Sequence, residues 1–268
     1  KFTEGKVHIG IDAKAEVSSV FSDIKGAVST KFSGPHPAGN VGVQIHHIAP
    51  INKGDTVWTI DPYGVAQIGK LFLKGIYDTT KTICLAGSEV EKSQYYHTHC
   101  GACIDKIIEG KIEHRNVRYI SGNVLTGEKI EPDGYLGYYN HLVSVIPEGN
   151  DYEFLGWMKP TTEKLSFHRA LGLLSFLNSS KKEYVLNSNM KGEERAFVQT
   201  GIYEKVLPMD ILPEYLFKAI MAEDYDEMET LGLYEIVEED IALCEFIDVS
   251  KHDLQGIIRQ GINLLRET

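Results

Sequence analysis

The sequence predicts an α/β portion built on a largely parallel sheet, then a small α+β portion, then a helical C-terminal region. Three observations carry this. Strand-like and helix-like segments alternate through the first 112 residues, as repeated βα units require. From about Asn116 short strand-like runs separated by Gly, Pro, Asn and Asp turns take over, the pattern of a mixed or antiparallel sheet. Beyond Pro208 the apolar residues recur at helical spacing. The expected boundaries are 1–112, 113–208 and 209–268.

In the first portion, residues 6–12 (KVHIGID) read as a strand, and residues 16–25 place Val17, Val20, Phe21 and Ile24 on one helical face. Residues 56–60 (TVWTI) again read as a strand. Asp61 followed by Pro62 supplies an N-cap and a proline at the first helical position, opening a helix that runs to about Lys74. Residues 81–86 and 93–98 read as strands. The helix after them turns Ile104, Ile107 and Ile108 inward and stops at Gly110. In the second portion, residues 117–122, 141–147, 154–158 and 194–201 are strand-like, with one helix at about 168–177. Helices follow at 213–222, 237–246 and 253–266, the last with Leu254, Ile257, Ile258, Ile262 and Leu265 on one face.

Composition narrows the function. The 268 residues carry 27 Lys and Arg against 38 Asp and Glu, a formal net charge of −11, which argues against a phosphate-tracking surface and so against nucleic acid as partner. No apolar run approaches the ~20 residues of a membrane-spanning helix. Four cysteines, Cys84, Cys100, Cys103 and Cys244, make no disulfide scaffold and suit a reducing compartment. A chain that opens on Lys1 and runs at once into a strand is expected to be part of something longer. The acidic run from Glu223 to Glu229 has Met228 and Glu229 where a calcium loop from Asp224 needs a ligand and a glycine, so its carboxylates are expected to face solvent or to favour helix N-termini.

Two nucleotide signatures fail. Gly64, Gly69 and Lys70 approach a phosphate-binding P-loop, but the position that must hold a hydroxyl for Mg²⁺ is Leu71, and the intervening residues look helical. Gly34, Gly39 and Gly42 lack the dinucleotide spacing. Cys100-Gly-Ala-Cys103, preceded by His97 and His99, is expected at a helix start. There a helix dipole lowers a thiol pKa and a dithiol can exchange with disulfides, and a His/Cys metal site is the other functional reading. The bland alternative is a pair of small, partly buried side chains. Residues 33–42, with His36, Pro37 and Gly39, form a rigid kinked loop entering an apolar segment that ends at His46 and His47. Adjacent histidines point apart on a helix or a strand and make no natural ligand pair.

At this loop the sequence resembles a known family. "SGPHPAGNVGVQIHHIAP", "DTVWTI", "IGKLFLKG" and "ICLAGSEV", then "VRYISGNVLTG", "YLGYYNHLVSVIPEG", "YEKVLPMDILP" and "VEEDIALCEF", are similar to the A subunit of the bacterial Na⁺-translocating NADH:quinone reductase, from about Phe32 to the end. The resemblance implies further chain before Lys1, a Rossmann-like domain for the first portion and a β-grasp module of the soluble-ligand-binding type for the second. It implies a protein peripheral to the membrane on its cytoplasmic face, in a complex that passes electrons from NADH to quinone and exports Na⁺. NADH, flavins and an iron–sulfur centre belong to the partner subunits, and no cofactor is expected in this chain. The resemblance also associates this subunit with quinone binding. Cys244 standing alone agrees, since an iron–sulfur cluster needs about four closely spaced cysteines. No catalytic acid, base or nucleophile and no metal is expected. His36, Pro37, Gly39 and His46 are the candidate quinone or partner residues; Cys100, Cys103, His97 and His99 are the redox or metal alternative. Within the family a Thr-His-x-His pattern is usual where this chain has Val43, Gln44, Ile45 and His46, and Cys100 and Cys103 are not the usual residues flanking Gly101-Ala102. The rival readings are a flavin- or NAD-binding oxidoreductase in its own right and a CxxC thiol or zinc protein.

Overall fold

The computed structural model describes residues 3–15, 19–22, 24–114, 116–168, 172–178 and 182–267. Val17 of the expected N-terminal helix, and residues 169–171 of the expected helix at 168–177, lie outside them. The architecture is mixed α/β with a helical C-terminal region, and it divides into two compact units, residues 1–59 with 194–268, and residues 60–193.

The first unit opens with strands β1 (Val7–Asp12) and β2 (Ala27–Phe32), paired in parallel from Val7↔Ala27 to Asp12↔Phe32, with the short helix α1 (Ser19–Ser22) between them. Helix α2 (Val41–Ile48) follows, and four helices close the chain: α5 (Pro213–Met221), α6 (Tyr225–Thr230), α7 (Glu238–Ile247) and α8 (Leu254–Glu267). Their caps are local. Pro213 starts α5, the Asp224 carboxylate accepts from Glu227 N at 3.2 Å to cap α6, and Gly232 leaves it in the left-handed region. Glu238, Glu239 and Asp240 fill the first turn of α7, where the helix dipole favours negative charge. The acidic run therefore caps helices, as its composition suggested. Leu216, Phe217, Ile220, Met228, Ile241, Cys244, Leu254 and Ile258 form one buried cluster, joined from the N-terminal half by Val43 of α2. At Gly261 a Cβ would sit 2.9 Å from Ile220, so a glycine is what lets α8 lie this close to α5.

The second unit is a five-stranded sheet in the order β4-β3-β7-β5-β6. Its strands are β3 (Thr80–Ala86), β4 (Gln94–His99), β5 (Val117–Ser121), β6 (Glu128–Ile130) and β7 (Leu142–Pro147). Only the β3–β7 joint is parallel; β3–β4, β5–β7 and β5–β6 are antiparallel. This corrects the expected mostly parallel sheet. The connection from Ala86 to Gln94 is too short for a crossover, so β4 must return as a hairpin partner. Helix α3 (Pro62–Lys74) begins where Asp61-Pro62 predicted, with Gly64 N donating to the Asp61 carboxylate at 2.6 Å, and ends on Gly75 in the left-handed region. Gly64 and Gly69 lie inside it and form no phosphate loop. Helix α4 (Asp105–Ile108) adds Ile107 and Ile108 to a core of Ile83, Leu85, Ile104, Val143 and Val145.

Three expected strands do not form. Residues 56–60 have no pairing partner and turn Val57, Ile60 and, at 91% exposure, Trp58 to solvent. Residues 194–201 are irregular, and within 154–158 a 3₁₀ turn forms at Gly156–Met158, as another does at Ser175–Leu177. Here lysines do the tying that a ladder would. Lys164 reaches Glu153 and Gly156 O, and Lys182 donates to Thr162 O at 2.7 Å. Elements the sequence did not announce are β2, β6, α2 and α6.

Candidate functional site

The Pro/Gly loop at residues 33–40 lies in the first unit. The His36–Pro37 peptide is cis, His36 and Gly39 are exposed, and Pro37 is buried. Asn40 ends the loop and fastens it to the start of α7, its Nδ2 donating to Glu239 O at 3.0 Å and to the Asp240 carboxylate at 3.4 Å. Two residues on, a Cβ at Gly42 would stand 2.2 Å from Asp240 Oδ2, so the glycine of "AGNVG" is the room into which that carboxylate packs. Asp240 is fully buried. Burial pushes its carboxyl up to about 6, against hydrogen bonds from Val237 N and Asn40.

His46 sits on the second turn of α2, half-buried. Its Nε2 accepts from Asp210 N at 3.0 Å, which leaves the ring proton on Nδ1, 2.6 Å from the Glu235 carboxylate. Both ring nitrogens are thus committed. His47 takes the other direction, its Nε2 2.8 Å from Pro208 O and its ring near-perpendicular to that of His46. Three of the strings that carry the family resemblance meet at α2: its own, the one holding Pro208 and Asp210, and the one holding Glu239 and Asp240. Of the four candidate residues, the fold places His36 and Gly39 at the surface and uses Pro37 and His46 to hold the loop and helix in place.

The cysteine cluster belongs to the second unit. Cys100 follows the last residue of β4, its N–H donating to Thr79 O at 2.9 Å, and Gly101 turns the chain through the left-handed region. Cys103 forms an isolated bridge with Tyr135, and α4 starts only at Asp105. The expected helix-start position of Cys100 is therefore corrected: the thiol sits on a strand-end turn, without a helix dipole behind it. Both cysteines are free and half-buried; Cys103 Sγ donates to Asp133 O at 3.0 Å. His97 and His99 are on the exposed face of β4, beside Thr82 Oγ1 at 3.0 Å and Thr79 Oγ1 at 3.2 Å. Among the described residues no three His, Cys, Asp or Glu side chains are placed to hold a metal ion.

The neighbours of Cys100 are residues that sequence reasoning missed. Its sulfur is 3.4 Å from Tyr63 Oη of α3, and that hydroxyl also donates to Thr80 O at 2.8 Å. Gln67, buried on the same helix, donates to Tyr63 Oη at 2.8 Å and to Asp78 O at 3.0 Å, and its Oε1 accepts from Tyr138 Oη at 2.9 Å. Lys81 of β3 is 3% exposed, donates to Tyr138 O, and lies 5.7 Å from the ring centroids of both Tyr63 and Tyr138. Burial lowers its pKa. The available signal was its phase: Lys81 alternates with Ile83 and Leu85, so an ammonium occupies a core-facing position of β3.

Comparisons with known proteins agree with one another. Residues 1–77 match the family model described as NqrA second alpha/beta domain, and residues 82–131 the model described as NQRA C-terminal domain. The A subunit of the Na(+)-translocating NADH-quinone reductase of Rhodopirellula baltica is 39% identical over 267 residues, 99% of this chain and 58% of the relative. The proteins of the same name from Serratia proteamaculans and Neisseria meningitidis are each 37% identical over 268 residues, 100% of the chain and 59% of the relative. The chain thus spans under two thirds of the length of the relatives it matches. From end to end of its own length the chain is similar to proteins named as the A subunit of the Na(+)-translocating NADH-quinone reductase.

Proposed function

We propose that the chain serves as a peripheral, cofactor-free part of the A subunit in a Na⁺-pumping NADH:quinone oxidoreductase, structural in role and contacting quinone through the loop at residues 33–40 and the start of α2. The observation that carries this reading is the end-to-end similarity to proteins of that name. In this reading the flavins, the iron–sulfur centre and NADH stay with partner subunits, and the chain sits on the cytoplasmic face of the membrane. Residues 1–112 are read as a Rossmann-like remnant, residues 113–208 as a β-grasp module, and residues 209–268 as a helical C-terminal region.

One feature supports the assignment to the loop and another the peripheral placement. Its exposed members, His36 and Gly39, are offered on a support whose other side is buried, with Val43 in the core and Asn40 and His46 hydrogen-bonded away from solvent. Such preorganisation is what a binding loop needs. No helix among the described residues is long and apolar enough to cross a membrane, which suits a peripheral protein. The test is photo-crosslinking of a quinone analogue to the intact complex, with labelled peptides mapped. Label on residues 33–48 is expected. Label confined to other segments would remove the quinone role from this loop, and a reductase complex purified without this chain would remove its assignment to that complex.

A further inference from the structure

Lys81 carries its ammonium on the core-facing side of β3 at 3% exposure, in phase with Ile83 and Leu85. An ammonium taken out of water needs a counter-anion, or acceptors for its three N–H groups. Tyr138 O is one acceptor, and the ring centroids of Tyr63 and Tyr138 each lie 5.7 Å away. Among the described residues no carboxylate stands within ion-pair distance of it. Asp61, at the start of α3, is turned to Gly64 N and to His141 Nε2. The aromatic faces reduce the cost of burial, yet they bring no full negative charge.

The ammonium does not end against a closed core. Lys81 lines a cleft of the second unit together with Thr98 and Gly101, between apolar walls of Ile83, Ile104 and Leu136. Thr98 stands directly opposite Lys81 in the antiparallel β3–β4 pair, so the two side chains share a face and are neighbours. Its hydroxyl has no hydrogen-bond partner among the described residues. Neither has the Gly101 N–H, on the left-handed turn after Cys100. Three kinds of donor thus border one cleft, and the carbonyl of Tyr138 is already taken by the ammonium. A few converging donors among apolar walls suit an anion. The free space is about 10 Å³, roughly what one water-sized body requires. A phosphate or a nucleotide is too large for it; a monatomic anion is not.

We propose that this cleft binds a single chloride ion, held by the Lys81 ammonium, the Thr98 hydroxyl and the Gly101 N–H. The ion supplies the negative charge that the buried ammonium lacks, and it ties the end of β4 and the turn after it to β3. An anion paired with a buried cation in this way is screened little by salt, unlike one resting on surface lysines. The site concerns the second unit alone, so it stands or falls separately from the chain's place in the reductase.

The test is the linewidth of the chloride nuclear magnetic resonance signal, with sodium chloride titrated into the intact protein in sodium gluconate at constant ionic strength. Chloride exchanging with a protein site broadens the free-ion line, and a competing halide narrows it again. Excess broadening that saturates and is displaced by bromide is expected. Lys81→Met keeps an unbranched side chain and removes the charge; it is expected to weaken the saturable binding about tenfold or more, with circular dichroism showing that the protein is folded. Thr98→Val removes the hydroxyl at nearly constant shape and is expected to weaken it about threefold. Should Lys81→Met fail to fold, Thr98→Val decides. Broadening that does not saturate, binding unchanged in the substituted protein that folds, or displacement by acetate as readily as by bromide would overturn the proposal.

Discussion

Residues 202–265 and residues 151–200 both alternate apolar and polar side chains, and the fold treats them in opposite ways. In the first stretch Ile202, Tyr203, Phe217, Leu233, Ile241 and Leu254 are all at 2% exposure or below. In the second, Tyr152, Phe154, Trp157, Leu173, Phe176 and Val198 face solvent. The difference is not apolar content. Each C-terminal helix carries a local start, Pro213 at α5, Asp224 at α6, Asp240 at α7 and Asp253 at α8, so its apolar stripe has a fixed direction and can meet another stripe. Among its described residues the middle stretch forms only short 3₁₀ turns and no strand pairing, and lysine contacts to carboxylates and carbonyls help to hold its backbone. Apolar residues become a core only where regular structure aims them.

That contrast can be broken most sharply at Phe217. Phe217→Ala empties a fully buried ring position that packs edge-on to Tyr203 and stacks on Phe197, and is expected to cost roughly 3–5 kcal/mol in denaturant unfolding. A loss under about 1 kcal/mol would mean that the helical cluster is loosely packed.

The next largest effect tests burial by charge. Burial raises the Asp240 carboxyl from its ordinary value of 3.8 to about 6. Between about pH 4 and pH 6 the folded chain keeps a proton that the unfolded chain has released. Stability from this group is therefore fully present below about pH 4 and is lost as pH rises through about 6. Asp240→Asn keeps an oxygen for Val237 N and removes the titration. The stability of the native sequence relative to Asp240→Asn is expected to fall by on the order of 2–3 kcal/mol from pH 4 to pH 7. A difference that stays flat would show that water reaches this carboxylate.

The smallest effect belongs to the other stretch. Phe154 is 90% exposed, and Phe154→Ala is expected to change stability by less than about 0.5 kcal/mol. A large loss there would mean that the middle stretch has a packed core of its own and would dissolve the comparison.

What could be read from sequence follows the same line. Asp61-Pro62 announced α3 to the residue, and the stripes of α5, α7 and α8 were legible because caps and spacing are local. Helix α2 was not, since its sequence VGVQIHHI has no side-chain cap of its own, and Asn40 and His46 are held by partners 199 and 189 positions away. For the same reason the Pro/Gly loop could be seen as rigid, while the carboxylates that anchor it could not. The sheet misled because strand-like segments disclose no pairing direction; only the short β3–β4 connection did. At the cysteines the motif was visible and its surroundings were not, because Tyr63, Gln67, Lys81 and Tyr138 come from three separate segments and meet only through tertiary structure.

The solvent-facing position of Trp58 has an optical consequence. Trp58 is 91% exposed and Trp157, the other of the two tryptophans, is 58% exposed. Both indoles are already hydrated in the native state, so tryptophan emission starts red-shifted and has little further to move when the chain unfolds. A fluorescence melt would look nearly featureless for a protein with a well-packed helical core. The transitions that distinguish Phe217→Ala from Phe154→Ala should instead stand out in far-ultraviolet circular dichroism, where the helices, α8 and α3 the longest among the described residues, give the strongest signal.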